Sequence, residues 1–407
     1  MEGRTRQLGV RAVLAGGLLA GLVTIWHLAA TKPALAGVNL RTYRLAALAL
    51  ERPAQLYTVA PPGFPDLTWL YPPLVAVVFL PIARLEPFGL ALAAHTGVLI
   101  IAGMALGGTL LEVIEAGGGD VSPVDRALIF GISILSPHAA PSLYYGNINP
   151  VLALALAGAL LAAERRRPWT TGSLLAVPAT IKVFPAGFGL WILWRREWRE
   201  AAAALLVGIL VVLGSLGLVG LAPLREYGLT VLVERGSAQL FVNGLDPAAQ
   251  YVTLWRALSY VLPATTPVLL GASLLLLAAP VGVVLYGASP STTVGRIAAL
   301  HVTVIAVLLA IPSYAVYVVF AVPTLVCLLY VLPAGRAHTI VTAGAGLSML
   351  TVTLGSLRDL GLDGLLYEVL RPPLTLGSPQ LWGLLLTLLG VFIWVGTDGG
   401  SQSAQPE

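Results

Sequence analysis

Apolar runs near the length of a membrane span recur along almost the whole of this 407-residue chain, separated by short polar stretches. Crossing a bilayer takes roughly 20 predominantly apolar residues, and the runs can supply about ten such segments. They are long and rich in Leu, Ala and Val, not short and alternating. Backbone groups that lipid cannot satisfy must therefore be paired within helices, which excludes a barrel. Charged residues make up only 10% of the chain and hydrophobic ones 57%. A soluble domain carries about 25% charged residues, so too few charges remain here to solvate a water-facing surface. The mean hydropathy of +0.88 agrees. These features predict an all-α integral membrane protein, a multi-span helical bundle forming one domain over residues 1–398 with a polar tail over 399–407.

The net charge is +4, from 23 basic and 19 acidic residues. The basic residues fall in short clusters between apolar runs and act as topology signals, so no nucleic-acid partner is expected. Cys327 is the only cysteine and lies in an apolar run, which rules out a disulfide or a cysteine-based metal site within one chain. The histidines His27, His95, His138, His301 and His338 are widely scattered, so no metal site and no cofactor are predicted. The first run, Val10 to Ala30, follows Arg4, Arg6 and Arg11 and is long for a signal peptide. A retained helix with a cytoplasmic N-terminus is the expectation.

The polar stretch from Thr31 to Tyr71 comes next, and is read as a long first extracytoplasmic loop. Within it, Leu40, Tyr43, Ala47 and Leu50 recur at helical spacing while Arg41 and Arg44 lie on or near the other face, a pattern for an interfacial helix. Farther on, Arg165, Arg166 and Arg167 form one basic cluster and Arg195, Arg196 and Arg199 another, both expected in the cytoplasm. Between them, Pro168 to Trp194 is only 27 residues, too short for two full spans of about 20 residues each. It is expected to be a hairpin of two short helices turning inside the bundle near Pro178, Lys182 and Pro185. Working outward, Ala127 to Leu143 ascends as one span, and Pro72 to Ile114 holds a short hairpin or dip plus one full span. Ala222 to Arg256 and Arg358 to Gln380 are outside loops, and the C-terminus is cytoplasmic. No internal repeat of the kind found in secondary transporters is evident.

This topology gathers nearly all the unusual polar motifs on one membrane face. They are the first loop, Tyr71-Pro72-Pro73-Leu74, Asn147 to Pro150, Asn243-Gly244-Leu245-Asp246-Pro247, Pro312-Ser313-Tyr314 and Arg358 to Arg371. A channel or pump more often places charged groups near the bilayer midplane. Convergence at one face suits an enzyme working on a lipid headgroup.

The same residues carry a resemblance. Leu70-Tyr71-Pro72-Pro73-Leu74 with Pro81 beyond it, Gly146-Asn147-Ile148-Asn149, Ala179 to Ala186 with Trp191 to Trp198, and Phe241-Val242-Asn243-Gly244 follow, in order, the pattern of glycosyltransferase family 87. Pro312-Ser313-Tyr314 with Tyr317 and Pro323 matches more weakly, as does Leu376 to Gln380. The resemblance spans roughly residues 37 to 395. It implies a GT-C-type bundle that transfers a sugar, mannose by default, from a polyprenyl phosphate donor to a glycolipid or polysaccharide acceptor on the extracytoplasmic face of the cell membrane. Such chemistry needs a carboxylate general base and positive groups to hold the departing phosphate.

Lys182, inside an apolar hairpin, is the leading candidate for the donor phosphate; Arg41 and Arg44 are candidates for the same task or anchors to anionic lipid. Asn147, Asn149 and Asn243 are candidates for sugar hydroxyls, though Asn beside Pro or Gly also serves turns and caps. Tyr71, Tyr314 and Tyr317 are candidates to line the groove, or are interfacial belt residues. The chain departs from the family pattern at two places. Asn39 stands where an acid is expected in the first loop, and Ala315 and Val316 stand where an Asp-His pair is common. An amide accepts no proton, so the base is expected among Asp66 and Glu51, the acids of the first loop, with Asp246, Asp359 and Asp363 as lesser candidates. Two other readings stay open: a catalytically impaired relative acting as a scaffold, and a lipid or solute transporter.

Overall fold

The computed structural model describes residues 2–234, 251–263, 265–359, 361 and 364–399, and they are almost entirely helical. The chain opens with α1 (Glu2–Thr31). Gly37, at φ +66°, turns the backbone into α2 (Val38–Leu48), a left-handed geometry that glycine adopts without steric cost. Pro73 opens α3 (Pro73–Val78) and Pro81 stands in the first turn of α4 (Leu80–Ala83), where a missing N–H breaks no helical bond. The long apolar α5 (Phe88–Ala116) follows. Ser122 and Asp125 form a reciprocal capping box at the start of α6 (Pro123–Leu135). Pro137 disfavours helical backbone at Ser136, and the chain resumes as α7 (Ala140–Tyr145). Then come α8 (Asn149–Glu164), α9 (Pro168–Lys182), α10 (Gly189–Arg195), α11 (Trp198–Val219) and α12 (Leu221–Glu226), which runs into a π-helical stretch, Tyr227–Glu234.

Beyond it, β1 (Tyr251–Val252) precedes α13 (Trp255–Leu258), α14 (Thr266–Gly287) and α15 (Thr293–Ala310). β2 (Ser313–Tyr314) pairs antiparallel with β1, Tyr251 opposite Tyr314. The chain continues through α16 (Val322–Val331), α17 (Arg336–Ser348), α18 (Leu354–Asp359), α19 (Leu365–Leu376) and α20 (Pro379–Trp394).

Among the described residues, six helices are long and apolar enough to cross a membrane: α1, α5, α11, α14, α15 and α20. This is fewer than the ten or so segments expected, because prolines and glycines cut several apolar runs short. The single span expected over 127–143 is divided at Pro137 into α6 and α7, while α8 and α16 are apolar but short. Two expected loops hold helices instead. The stretch after Ala222 continues α12 into the π-helical turns, and the segment after Arg358 contains α19 with Pro372 and Pro373 inside it. Helices stand where the amphipathic segment of the first polar stretch, the broken run before α5 and the short hairpin of 168–194 were expected, as α2, as α3–α4 and as α9–α10. An all-helical, multi-pass membrane protein is the result.

The chain divides into two compact units. The first comprises residues 1–24, 106–139 and 239–407. Its interior is built where α17 and α20 meet through small residues: a Cβ on Gly344 would stand 2.7 Å from the Gly383 carbonyl oxygen, and one on Gly383 2.3 Å from the Ser348 nitrogen. Such close approach lets backbones pack by van der Waals contact where lipid offers no hydrophobic drive. His301 is fully buried and hydrogen-bonded to Thr324 at 2.9 Å and Thr387 at 3.1 Å, tying α15, α16 and α20. Arg11 makes a two-pronged ion pair with Asp125, both bonds at 2.9 Å.

The second unit comprises residues 25–105 and 140–238 and carries most of the predicted site. Here α9 packs between α8 and α11. Gly172 lets α9 approach α11 so closely that a Cβ would lie 2.0 Å from the Glu200 carbonyl oxygen. At the α10–α11 turn, Arg195 donates to both carboxylate oxygens of Glu200, at 3.0 and 2.8 Å, with its guanidinium over the Trp191 ring at 4.5 Å.

Candidate functional site

Tyr71 precedes Pro72 and Pro73, so its backbone is held extended and the double proline starts α3 directly after it. Ser215 of α11 fixes that start: its hydroxyl accepts from the Leu74 N–H at 3.2 Å, while it donates to the Val211 carbonyl at 2.7 Å. Tyr71 is thereby held in a corner of the second unit. Its hydroxyl lies 3.2 Å from that of Tyr43 on α2, and its carbonyl accepts from the Tyr57 hydroxyl at 3.0 Å. Around the pair, Tyr43 meets Trp69 edge-on with ring centroids 5.8 Å apart, Phe79 at 4.6 Å and His95 at 6.3 Å. Burial, and then the neighbouring Tyr43, push the Tyr71 phenol well above its ordinary pKa, so it stays a neutral hydroxyl.

Lys182 completes the corner. It is the last residue of α9, and its ammonium donates to the Tyr71 hydroxyl at 3.3 Å and lies 5.3 Å from the ring centroid. Both geometries attract a cation, one through the oxygen and one through the ring quadrupole. The helix ends there because Val183 takes φ +58°, a conformation costly for a β-branched residue. The Val183 N–H still reaches the Ala179 carbonyl at 2.9 Å, and its carbonyl accepts from Ala186 at 2.8 Å. Strain of this kind persists where surrounding structure imposes it.

Beside the corner runs an apolar cavity of about 640 Å³ between α9 and α11. Pro72 and Val183, the residues after Tyr71 and Lys182, stand in its wall, as do Ser215 and Tyr227. From there it follows α11 down to Ala204, a length of about 16 Å at 1.5 Å per residue. Leu205, Ile209, Val212 and Leu213 line it and are each 44% or more exposed, so the cavity opens sideways, toward lipid. An apolar groove with a cation at one end suits a long-chain amphiphile with an anionic head.

The other predicted residues are distributed as follows. Asn39 is half-buried on α2, one turn before Tyr43 and on the same face. Arg41 lies over the Phe88 ring at 4.9 Å. Arg44 is committed to the end of α4: it donates to the carbonyls of Ala83 at 3.1 Å and Leu85 at 3.0 Å and pairs with Glu86 at 2.7 Å. Asn147 turns the chain into α8, its side-chain oxygen accepting from the Asn149 N–H at 3.1 Å, and Asn149 is fully buried. Gly146 between them and the corner has φ +72° and its carbonyl is hydrogen-bonded to His95 at 3.0 Å. Asp66 is exposed in a turn closed by Leu67 N–H to Phe64 carbonyl, and Glu51 is exposed in a 3-10 turn. Tyr314 and Tyr317 belong to the first unit, where Tyr314 stacks on Tyr251 at 4.6 Å and meets Tyr317 edge-on at 6.0 Å. Asn243, Asp246 and Asp363 lie outside the described residues, as does the side chain of Asp359.

Tyr43, Tyr57, Trp69, Ser215 and Tyr227 join the site without having been singled out from the sequence. For Tyr43 a signal existed, its i+4 spacing from Asn39, and Trp69 lies two residues before Tyr71; Tyr57, Ser215 and Tyr227 come from stretches that only the fold brings together. Among the described residues no three His, Cys, Asp or Glu side chains are grouped to hold a metal ion.

Three relatives share part of this chain. The polyprenol-phosphate-mannose-dependent alpha-(1-2)-phosphatidylinositol pentamannoside mannosyltransferase of Mycolicibacterium smegmatis is 34% identical over 196 residues, 47% of this chain and 45% of the relative. The enzyme of the same name from Mycobacterium tuberculosis is 32% identical over 187 residues, 45% of this chain and 42% of the relative. The polyprenol-phosphate-mannose-dependent alpha-(1-2)-phosphatidylinositol mannoside mannosyltransferase of Mycobacterium tuberculosis is 33% identical over 150 residues, 34% of each chain. The matched stretches thus span less than half the length of these relatives. No solved structure matches the chain. The family model for glycosyltransferase family 87 matches residues 69–312, which take in Tyr71, Lys182, the apolar cavity and β1. That is more than half of the sequence, and the chain belongs to glycosyltransferase family 87.

Proposed function

We propose that this protein transfers mannose from a polyprenyl phosphate to a hydroxyl of a glycolipid acceptor on the extracytoplasmic face of the membrane. The observation that carries the reading is the Lys182–Tyr71 pair at the rim of a laterally open apolar cavity. The prenyl chain lies along α9 and α11, entering from the bilayer, and its phosphate sits at the Lys182 ammonium. As the bond from the sugar to phosphate breaks, negative charge grows on the leaving phosphate, and a fixed cation in a low-dielectric corner stabilises it. Tyr71, kept neutral, orients the ammonium and presents a hydroxyl to the same head group. Arg41 of α2 is a further cation for the phosphate in this reading, whereas Arg44 holds α4 in place. Asn147 and Asn39 supply amides to the sugar.

The sidedness is supported by the helix directions. Lys182 ends a 15-residue helix that begins after Arg165–Arg167, so it lies about 21 Å along the axis from that basic cluster. With the cluster in the cytoplasm, the corner faces the opposite leaflet.

One observation favours a second reading, a relative that binds the lipid-linked sugar without turning it over: Asn39 stands where the family pattern has an acid. Sugar transfer by the full-length protein in proteoliposomes, with polyprenyl-phosphate mannose and a lipid extract, separates the two. Transfer by the wild type supports the enzyme. Donor binding without transfer, with transfer gained in Asn39→Asp, supports the silent relative. Failure to bind the donor at all refutes both.

A further inference from the structure

An ionisable side chain inside a membrane-spanning helix is costly and by default has a task. His95 is such a residue: it lies on α5, which is long and apolar enough to cross a membrane, and is 2% exposed. Its ring meets Tyr43 edge-on with centroids 6.3 Å apart and lies 6.2 Å from the ring of Phe79. It therefore packs beside the tyrosine whose hydroxyl meets that of Tyr71. The His95 Nε2 stands 3.0 Å from the Gly146 carbonyl oxygen. A carbonyl only accepts, so Nε2 carries the hydrogen. Nδ1 is buried with no hydrogen-bond partner. Among the described residues, the Gly146 carbonyl is thus the polar group that the ring serves.

That carbonyl belongs to the same peptide unit as the Asn147 N–H, and a peptide unit moves as a plane. At the other end of the plane, the Asn147 N–H donates to the Ser142 carbonyl at 2.7 Å. His95 and Ser142 thus clamp the plane from both sides and set the direction in which Asn147 leaves it. The clamp needs glycine: Gly146 has φ +72°, and a Cβ there would stand 3.0 Å from the Leu40 Cβ and 3.5 Å from the His95 Cδ2. The Asn147 side chain is held too, because its Oδ1 accepts from the Asn149 N–H. With the oxygen committed, this half-buried amide has a nitrogen that donates to nothing among the described residues. Two N–H donors are left for a ligand oxygen. The approach to Leu40 sets this turn against α2, one helical turn before Tyr43. The Asn147 turn and the Tyr43–Tyr71 hydroxyl pair therefore lie against neighbouring turns of one helix, an arrangement that suits adjacent parts of one head group, a phosphate and its sugar.

From this we infer that His95 is a positioning residue for the donor's sugar: its hydrogen bond to Gly146 aims the Asn147 amide at a mannose hydroxyl. The inference deepens the transferase reading above and rests on it. Lys182 holds the phosphate and Asn147 the sugar, so His95 governs sugar binding and acts through Asn147.

The test is equilibrium binding of two ligands of equal chain length, polyprenyl-phosphate mannose and polyprenyl phosphate, to the full-length protein in nanodiscs. Wild type is compared with four variants. His95→Phe keeps a ring against Tyr43 and Phe79 but has no donor, whereas His95→Gln carries an amide nitrogen that can replace Nε2. Asn147→Ala and the double variant His95→Phe with Asn147→Ala complete the set. In His95→Phe the mannosylated ligand should bind roughly three- to tenfold more weakly, the factor of one neutral hydrogen bond. Polyprenyl phosphate should stay within about twofold of wild type, a margin of less than one neutral hydrogen bond, because it has no sugar to place. Asn147→Ala should show the same selective loss, and the double variant no more than Asn147→Ala alone, since coupled residues do not add. His95→Gln should recover most of the affinity. Equal weakening of both ligands in His95→Phe overturns the assignment, because the histidine would then only pack the corner. Unchanged affinity for the mannosylated ligand overturns it as well, as do additive losses in the double variant and a His95→Gln variant no better than His95→Phe. Each of these leaves the transferase reading intact, because transfer by the wild type decides that separately. Failure of the wild type to bind either ligand overturns both.

Discussion

Replacing Lys182 with methionine keeps most of the side-chain volume and removes the cation that the second unit sets against Tyr71. In the proposed complex that ammonium meets a phosphate oxygen. Two unit charges about 4 Å apart attract by about 4 kcal/mol at an effective dielectric near 20, and desolvation of both groups offsets part of this. A hydrogen bond to a charged group contributes about 1.5–3 kcal/mol net, which converts to a roughly 10- to 150-fold weaker dissociation constant at about 1.4 kcal/mol per tenfold. The assay is equilibrium binding of polyprenyl phosphate and of uncharged polyprenol of equal chain length to the purified protein in nanodiscs. Lys182→Met should weaken the phosphate by that factor and leave the alcohol within about twofold, since the apolar cavity is untouched and charge alone separates the two ligands. Tyr71→Phe removes the hydroxyl that positions the ammonium but keeps the ring 5.3 Å from it, so its effect should be smaller, about three- to tenfold, the span of a neutral hydrogen bond. Equal affinity of wild type and Lys182→Met for the phosphate, with both folded, refutes the reasoning. Equal weakening of phosphate and alcohol would refute it too, because the lysine would then be shaping the cavity instead of reading charge.

Three other perturbations test the packing around that site and beyond it. Gly208 lines the proposed donor cavity and a Cβ there meets nothing within 4 Å, so Gly208→Leu should fold normally yet lower polyprenyl phosphate affinity by about tenfold or more, the loss of at least roughly 1.4 kcal/mol of chain contacts; unchanged affinity would place the chain elsewhere. Gly172→Val forces a side chain toward the Glu200 carbonyl, 2.0 Å from the new Cβ, and should destabilise the protein by about 1–3 kcal/mol or more in thermal unfolding. Asp125 lies before the apolar run of α6, and the Arg11 guanidinium and Ser122 hydroxyl hold its carboxyl down to about 2 from an ordinary 3.8. Its folded pKa is depressed, so the stabilisation is complete above the ordinary value and fades as pH falls from 3.8 toward about 2; wild type should lose melting temperature over that window, and Asp125→Asn should start lower and change less.

Much of the architecture was legible locally. A spanning helix is declared by its own composition, so α1, α5, α11, α14, α15 and α20 follow from apolar length. The α9–α10 hairpin follows from arithmetic, because the residues between two arginine clusters are too few for two crossings. Local chemistry also placed Tyr71 at an extended corner, since proline dictates its neighbour's backbone, and singled out Lys182, since a cation inside an apolar hairpin is costly without a task. Where apolar runs carry internal prolines, as at Pro137, length misled, because composition registers hydrophobicity while the missing N–H and ring clash decide continuity.

The pairing of these pieces belongs to the tertiary structure alone. Lys182 and Tyr71 are 111 residues apart, and nothing in either stretch names the other. Arg41 and Arg44 look alike in sequence and both lie over the Phe88 ring, yet Arg44 is also taken by the carbonyls that end α4, because an arginine's role depends on which unpaired acceptors the fold brings within its reach. The apolar cavity draws its walls from α9 and α11, which are separate in sequence, and Tyr57 meets Tyr227 only in the fold. Periodicity and composition act over one or two helical turns and are written in the chain; distances between helices depend on how side-chain volumes and backbone hydrogen bonds are satisfied all at once, and that only the folded protein decides.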